Sequence, residues 1–195
     1  MTEKQIEQVR RKIETYKKAL AADKKQWGGQ YHDGGGIRYL IPGQFIKIKD
    51  YKGGLWYLRW FDKTFADDRG YPIFLFECTL ILFKFDKFKE AEQEARHTFF
   101  SNTYLFDKFL GKEQLQLDKS ESSNWEFASL AERFTYRHND TEFIEFAMWL
   151  ERVLKSKAFL DKANEFIQIQ QQLKNEPVGQ RRSALVERSS KIKYS

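Results

Sequence analysis

Residues 50–55 read DYKGGL, and residues 87–92, thirty-seven positions later, read KFKEAE. Each of these two stretches lies between two segments that are rich in apolar residues at helical spacing. The four segments are residues 37–48 and 55–65 in the first copy, and 74–85 and 92–100 in the second. A pattern that recurs at a fixed offset is typical of repeated structural units. The sequence therefore predicts two helix pairs, each with a short turn between its helices.

The two stretches resemble the turn of the tetratricopeptide repeat. Tyr51 and Phe88 match its aromatic position, and Gly54 and Ala91 match the small residue that lets a helix cross the preceding one closely. The resemblance covers residues 37–102 and implies antiparallel helix pairs that stack as a short right-handed superhelix. The sequence departs from the family in three ways. Its offset is 37 residues rather than about 34, Gly54 stands where alanine is common, and Pro42-Gly43 interrupts the first helix or delays its start.

The segments on either side of the repeats predict further helices. Residues 1–25 carry an apolar stripe with a capping box at Thr2 and Gln5, which indicates a docking helix; the stripe is Ile6, Val9, Ile13, Tyr16 and Leu20. Residues 103–176 predict helices at 125–136, 142–156 and 159–174 after a polar loop at 112–124, with a helix start at Asn139 and Glu142. These helices would cap the exposed end of the repeat stack. We thus expect an all-α protein.

The composition excludes several classes of protein. A single cysteine, Cys78, rules out an intramolecular disulfide and any cysteine-based metal centre within one chain, which favours a reducing compartment. No segment has the roughly 18 consecutive apolar residues of a membrane span, and residues 1–25 lack a secretory apolar run. We therefore predict a cytoplasmic protein. The net charge is +6, and residues 177–195 form a basic tail that we expect to be mobile.

The resemblance also implies a binding groove, because the first helix of each tetratricopeptide pair lines a concave surface. In this register the partner-binding groove would consist of Tyr39, Ile46, Lys47, Phe76, Leu80, Phe83 and Lys84. A largely apolar groove must be covered either by the chain's own helices or by an amphipathic partner. Lys47 and Lys84 on its rim would suit an acidic peptide. The segment around Phe76 is apolar nearly all round, which also fits a simple core helix.

No catalytic motif is present, and we expect no metal and no cofactor. His32, His97 and His138 lack the spacing of metal ligands. Residues 33–36 are Asp-Gly-Gly-Gly ahead of Arg38, but they lack the signatures of phosphate-binding loops. An enzyme would need a pocket that gathers His32, Asp33 and Arg38. The acidic residues Asp62, Asp67 and Asp68 are explained by ordinary helix capping.

The sequence favours a non-catalytic module that binds a protein or peptide partner, and a homodimer is compatible with it. The alternative is a nucleic-acid accessory protein that binds through its basic tail. The residues of that alternative site are Arg181, Arg182, Arg188, Lys191 and Lys193. This alternative predicts a salt-dependent interaction that is lost when the tail is removed.

Overall fold

A computed structural model describes residues 1–114 and 116–193 and confirms the all-α class. These residues form ten α-helices and one 3-10 helix, and none of them lies in a strand. The helices are α1 (Glu3–Gln26), the 3-10 helix (Ile37–Leu40), α2 (Ile41–Lys47), α3 (Tyr51–Thr64), α4 (Pro72–Lys84), α5 (Phe88–Ser101), α6 (Leu105–Phe109), α7 (Ala128–Glu132), α8 (Ile144–Lys155), α9 (Lys157–Asn175) and α10 (Gln180–Lys193).

The chain divides into two compact units, Met1–Phe88 and Lys89–Ser195. Of the residues described, the most apolar helix is α4, and it has only 13 residues. No helix in the described ranges combines the length and the apolar character that crossing a bilayer requires.

Helix α1 begins as its sequence predicts. Thr2 Oγ1 accepts a hydrogen bond from the Gln5 backbone at 3.3 Å, and Gln5 Oε1 accepts one from the Thr2 backbone at 2.8 Å. These two bonds satisfy orphan N–H groups at the helix start and confirm the capping box. Ile13 and Leu20 of the apolar stripe are buried, and α1 packs against α2 and the 3-10 helix. The segment is therefore a docking helix of the first unit.

The two turns of the predicted repeat have the same backbone hydrogen bonds. After α2, the Asp50 N–H donates to Phe45 O and the Lys49 N–H to Ile46 O, both at 3.0 Å. After α4, the corresponding bonds run from Lys87 to Leu82 and from Asp86 to Phe83, again at 3.0 Å. Lys49 and Asp86 both adopt left-handed backbone, with φ of 57° and 55°. Both helices thus end in a Schellman motif, and every matching position is 37 residues apart.

The first helix of the first copy starts later than the sequence pattern suggests. Residues 37–40 form the 3-10 helix, and α2 begins only at Ile41, with Pro42 in its first turn. Proline is tolerated there because the first N–H groups of a helix have no intrahelical partner. Pro42 therefore delays the α-helix rather than kinking it.

Gly54 does not have the neighbour that the family pattern implies. A Cβ placed on Gly54 would lie 2.9 Å from Ile81 Cδ1, and its three nearest atoms all belong to Ile81 of α4. The close contact to the preceding helix α2 is made one residue earlier, where a Cβ on Gly53 would lie 2.5 Å from Phe45 Cε1. The expected role of Gly54 is thus wrong: it brings α3 close to the helix that follows. Ala91, in α5, is fully buried.

In the second unit, α8 and α9 follow the predicted ranges closely, but the helix predicted at 125–136 shrinks to α7. The chain turns away after α7, and His138 donates its backbone N–H to Phe109 O at 3.0 Å. Asn139 does not cap α8, whose N-cap is Phe143 and which has no side-chain cap bond. The described residues of the predicted loop 112–124 are not helical, and Leu115 lies outside the described residues.

The expectation of a mobile basic tail is wrong for residues 180–193. They form α10, which packs against α9 and buries Leu185, Ser189 and Ile192. The two apolar side chains join a cluster in the second unit with Phe100, Phe166, Ile169 and Leu173. Burial of this stripe supplies the free energy that orders the helix. Tyr194 and Ser195, the last residues of the predicted tail, lie outside the described residues.

Candidate functional site

The groove predicted from the family resemblance is closed. Ile46, Phe76 and Leu80 have exposed fractions of 4%, 0% and 0%, so they belong to the core and cannot contact a partner. Tyr39, Phe83 and Lys84 are half-buried, and Lys47 is exposed. The reason is the composition of α4, because a helix that is apolar on nearly every side must be covered. The predicted groove is therefore wrong at its centre.

An open groove lies on another face of the first unit, between α1 and α3, which both pack against α2. Its volume is about 870 Å³. Four further lining residues lie outside these two helices: Tyr31, Phe45, Ile48 and Asp50. We call this site the α1–α3 groove.

The wall that α1 contributes combines apolar and charged side chains. It consists of Arg10, Ile13, Glu14, Lys17, Leu20 and Ala21. Ile13 and Leu20 are two residues of the apolar stripe that sequence periodicity identified, and both are buried. Arg10 and Lys17 lie one step along the helix from that stripe. The stripe thus packs the helix onto the fold and also lines the groove.

The wall that α3 contributes is aromatic. It consists of Lys52, Gly53, Trp56, Tyr57 and Trp60. The Trp60 ring contacts Tyr31 edge-on at 6.0 Å and Tyr57 at 5.2 Å between ring centroids, and Tyr57 donates its hydroxyl to Arg38 O at 2.7 Å. These rings are held in place by one another, whereas Trp56 is 71% exposed. Trp56 therefore stands largely in solvent beside the groove, unlike the other two rings of this wall.

The charged side chains of the groove that can meet a ligand are mainly basic, because its two acids already have partners. The Asp50 carboxylate accepts the Gly53 N–H at 2.8 Å and caps α3. Glu14 pairs with Lys17 at 3.1 Å, and the Lys17 ammonium also lies 5.7 Å from the Phe45 ring. Arg10 and Lys52 form no ion pair within the described residues. The groove can therefore offer positive charge to a ligand.

The residues of the hypothetical catalytic site only partly come together. Arg38 pairs with Asp33 at 2.9 Å and with Asp68 at 2.6 Å, and the Tyr39 hydroxyl donates to Asp68 at 2.6 Å. His32 stays outside this network, exposed and stacked on Trp27 at 4.6 Å between centroids. The network fastens the glycine-rich loop to the fold, because Asp33 also accepts the N–H groups of Ile37 and Arg38.

The electrostatics of this network fit a structural role. Burial disfavours the charged form of Arg38, but its hydrogen bonds to Asp68 and Asp33 outweigh that effect and raise its pKa. Burial and the hydrogen bond to Asp68 raise the pKa of Tyr39. Arg38 thus stays cationic and Tyr39 stays neutral at physiological pH, so neither side chain is suited to exchange protons. No group of three or more metal-ligating side chains occurs in residues 1–114 and 116–193.

The basic residues of the predicted nucleic-acid site are engaged within the second unit. Each one contacts a carboxylate or a backbone carbonyl: Arg181 with Glu176 at 3.3 Å, Arg182 with the carbonyls of Leu173 and Glu176 at 2.7 Å, Arg188 with Glu165 at 2.5 Å, Lys191 with Glu187 at 2.7 Å, and Lys193 with Glu126 at 3.4 Å. Four of the five thus lie beside a carboxylate, while Arg182 is held by backbone carbonyls.

Comparison with protein-family models, with curated proteins and with solved structures gave no significant match for this chain. The groove residues are therefore assigned from geometry alone. Sequence reasoning missed Trp56 and Trp60, although their spacing of four residues places both on one face of a predicted helix. The missing information was the position of α1 opposite that face.

Proposed function

We propose that this chain is a non-catalytic protein–protein interaction module that binds a helical segment of a partner in the α1–α3 groove. The observation that carries the proposal is the 71% exposure of Trp56 at the edge of an open groove lined by apolar side chains. Leaving such a side chain in water costs free energy that a covering partner recovers. Trp56 is the anchor that the proposal assigns.

The dimensions of the groove suit a helix. Its α1 wall runs from Arg10 to Ala21, which is about 16 Å at 1.5 Å per residue. Partner helices that bind in grooves use apolar anchors at positions i, i+3 or i+4, and i+7, which span about 10 Å. About three turns of an amphipathic helix would therefore fit along the wall.

A small-molecule ligand explains the site less well. The volume of about 870 Å³ is within the usual range for ligand pockets. Such pockets, however, enclose most of the ligand surface, whereas Trp56 stands largely in solvent at the edge. A partner long enough to lie over the whole groove would cover it. Four of the five tail bases pair with acids of the second unit, which as a whole carries no net charge, so no uncompensated positive field favours nucleic-acid binding by α10.

The test uses a phage-displayed library of helical peptides of about 18 residues, five helical turns. Leucine occupies the positions of one apolar face, and the remaining positions are randomised. The library is panned against the full-length protein, and the affinities of recovered peptides are measured by fluorescence anisotropy. We expect Trp56→Ala to weaken binding by about tenfold or more, because buried tryptophans at interfaces are typical hot spots.

The matched control is Trp125→Ala, which removes another exposed tryptophan, 41% exposed, from the second unit. This variant should bind the same peptides as the wild-type protein does. Recovery of no peptide tighter than about 100 µM, roughly 5.5 kcal/mol of binding free energy, would contradict the proposal. Equal affinities for the wild type and Trp56→Ala would contradict it as well.

A further inference from the structure

We propose that the helix bound in the α1–α3 groove is acidic along its flank, and that a row of basic side chains on α1 recognises it. The inference rests on the proposed function, because it names the chemistry of the partner for the same groove. Three features support it: the position of the cations, the engagement of the two acids that line the groove, and the division of charge between the two units.

The cations follow one line along α1. Arg10, Lys17 and Lys24 are seven residues apart, which is about two helical turns, so they lie on nearly the same side at intervals of about 10.5 Å. Arg10 and Lys17 line the groove directly. The Lys24 ammonium lies 5.1 Å from the ring of Tyr31, which also lines it. The row therefore borders the groove over the full length of its wall.

These charges are available to a ligand. Arg10 and Lys24 form no ion pair in the described part of the chain, and the pair between Lys17 and Glu14 is solvent-exposed, at 45% and 61% of the side chains. Exposed pairs of this kind contribute little stability, about 0 to 1 kcal/mol. A partner carboxylate can therefore replace or share Glu14 at little cost.

The net charge of the protein belongs to the unit that contains the groove. Residues 1–88 hold 17 Lys and Arg against 11 Asp and Glu, which gives +6, and residues 89–195 hold 17 of each, which gives zero. Within α1 alone there are eight basic and four acidic residues. The field around the groove thus attracts an acidic segment and repels α1 of a second copy.

The lining favours a peptide over a single-stranded nucleic acid, the other common acidic partner. The aliphatic side chain of the lining that a partner can reach is Ile48, which is half-buried, because Ile13 and Leu20 are 3% and 2% exposed and belong to the core. Proteins that bind single strands instead present exposed aromatic faces on which bases stack. Here Tyr57 is buried and Trp60 is half-buried, so Trp56 alone of the α3 rings is well exposed.

The experiment uses the same peptide library, now with glutamate, glutamine or lysine at each position that flanks the leucine face. It is panned in parallel against the wild type, against the triple variant Arg10→Glu, Lys17→Glu, Lys24→Glu, and against the control Arg11→Glu, Lys18→Glu, Lys25→Glu. The control changes the same net charge at the adjacent positions of α1, which do not line the groove. Circular dichroism verifies that both variants are folded.

We expect glutamate to be enriched over lysine by about threefold or more at flanking positions for the wild type and the control, as a pair worth up to about 1 kcal/mol predicts. The groove variant should reverse that preference. Equal recovery of glutamate and lysine on the wild type would overturn the acidic partner, while peptides that still require Trp56 would leave groove binding intact. Loss of any dependence on Trp56 would overturn both proposals. Binding of a 20-nucleotide oligothymidylate that Trp56→Ala abolishes, with no acidic peptide recovered, would replace the peptide by a nucleic acid.

Discussion

Gly54 shows how one small residue fixes the distance between two helices of the first unit. A Cβ at this position would come within 2.9 Å of Ile81 Cδ1, closer than van der Waals contact allows. Ile81 is fully buried in α4 and has little room to move aside. The family pattern identified the position as one that needs a small side chain, but it indicated the wrong neighbour, because the neighbour depends on tertiary packing.

We predict that Gly54→Ala destabilises the protein by about 1 kcal/mol. Overpacking costs about 1–3 kcal/mol, and the better helix propensity of alanine returns about 1 kcal/mol. Ile81→Val removes the Cδ1 atom that the new methyl group meets, at a cost of about 0.5–1.5 kcal/mol by itself. The double variant should then be more stable than the sum of the two single changes by about 1 kcal/mol. Urea unfolding of the four proteins measures this coupling, and strict additivity would show that Gly54 does not control the packing of α3 on α4.

The helices that the sequence identified well are those decided by local patterns. The capping box at Thr2 and the stripe through Ile13 and Leu20 predicted α1 almost to its ends, and apolar periodicity located α8 and α9 within about two residues. The length of α7 was overestimated, because the chain after it is directed by a contact that local patterns do not show. The His138 N–H donates to Phe109 O, 29 positions earlier. The candidate site was missed for the same reason: its aromatic wall and its basic row come from helices that are separated in sequence.

Helix α10 provides a direct test of whether the C-terminal segment is part of the fold. Leu185→Ala and Ile192→Ala remove side chains that are 9% and 8% exposed from the apolar cluster shared with α9. Each should lower the free energy of unfolding by about 2–3 kcal/mol, at the lower end for large-to-small changes in a core. Val186→Ala, next to Leu185 but 51% exposed, is the control and should change stability by less than about 0.5 kcal/mol. A mobile tail would make all three variants equal to the wild type in urea unfolding.

The distribution of charge over the folded units differs from its distribution along the sequence. Five basic residues near the end of the chain suggested an electrostatic footprint there, yet the second unit as a whole is neutral. Glu126, Glu165 and Glu176 come from other parts of the same unit and meet Lys193, Arg188 and Arg181. The excess positive charge remains on the first unit, where the α1–α3 groove lies. Only the folded arrangement shows which cations are compensated.

The buried tyrosines predict how the stability of the protein responds to alkaline pH. Burial and a hydrogen bond to Glu121 raise the pKa of Tyr104 to about 12, and burial raises the pKa of Tyr39 and Tyr57. The pKa of each of these tyrosines is higher in the folded state than in the unfolded state, where it is about 10. The folded state therefore holds the phenolic proton more tightly. The resulting stabilisation is complete below pH 10 and is lost as the pH rises from 10 through 12.

The free energy of unfolding should therefore be nearly constant between pH 8 and 9.5 and fall above pH 10. Urea unfolding across this range measures it, and absorbance at 295 nm should show that part of the tyrosine ionises only as the chain unfolds. Tyr104→Phe should flatten the alkaline fall because it removes one of the titrating phenols. Glu121 keeps a partner in this variant, since Lys119 lies 2.8 Å from it. An unchanged slope in this variant, or full ionisation of all tyrosines near pH 10 in the folded protein, would show that the burial of these phenols does not govern the response.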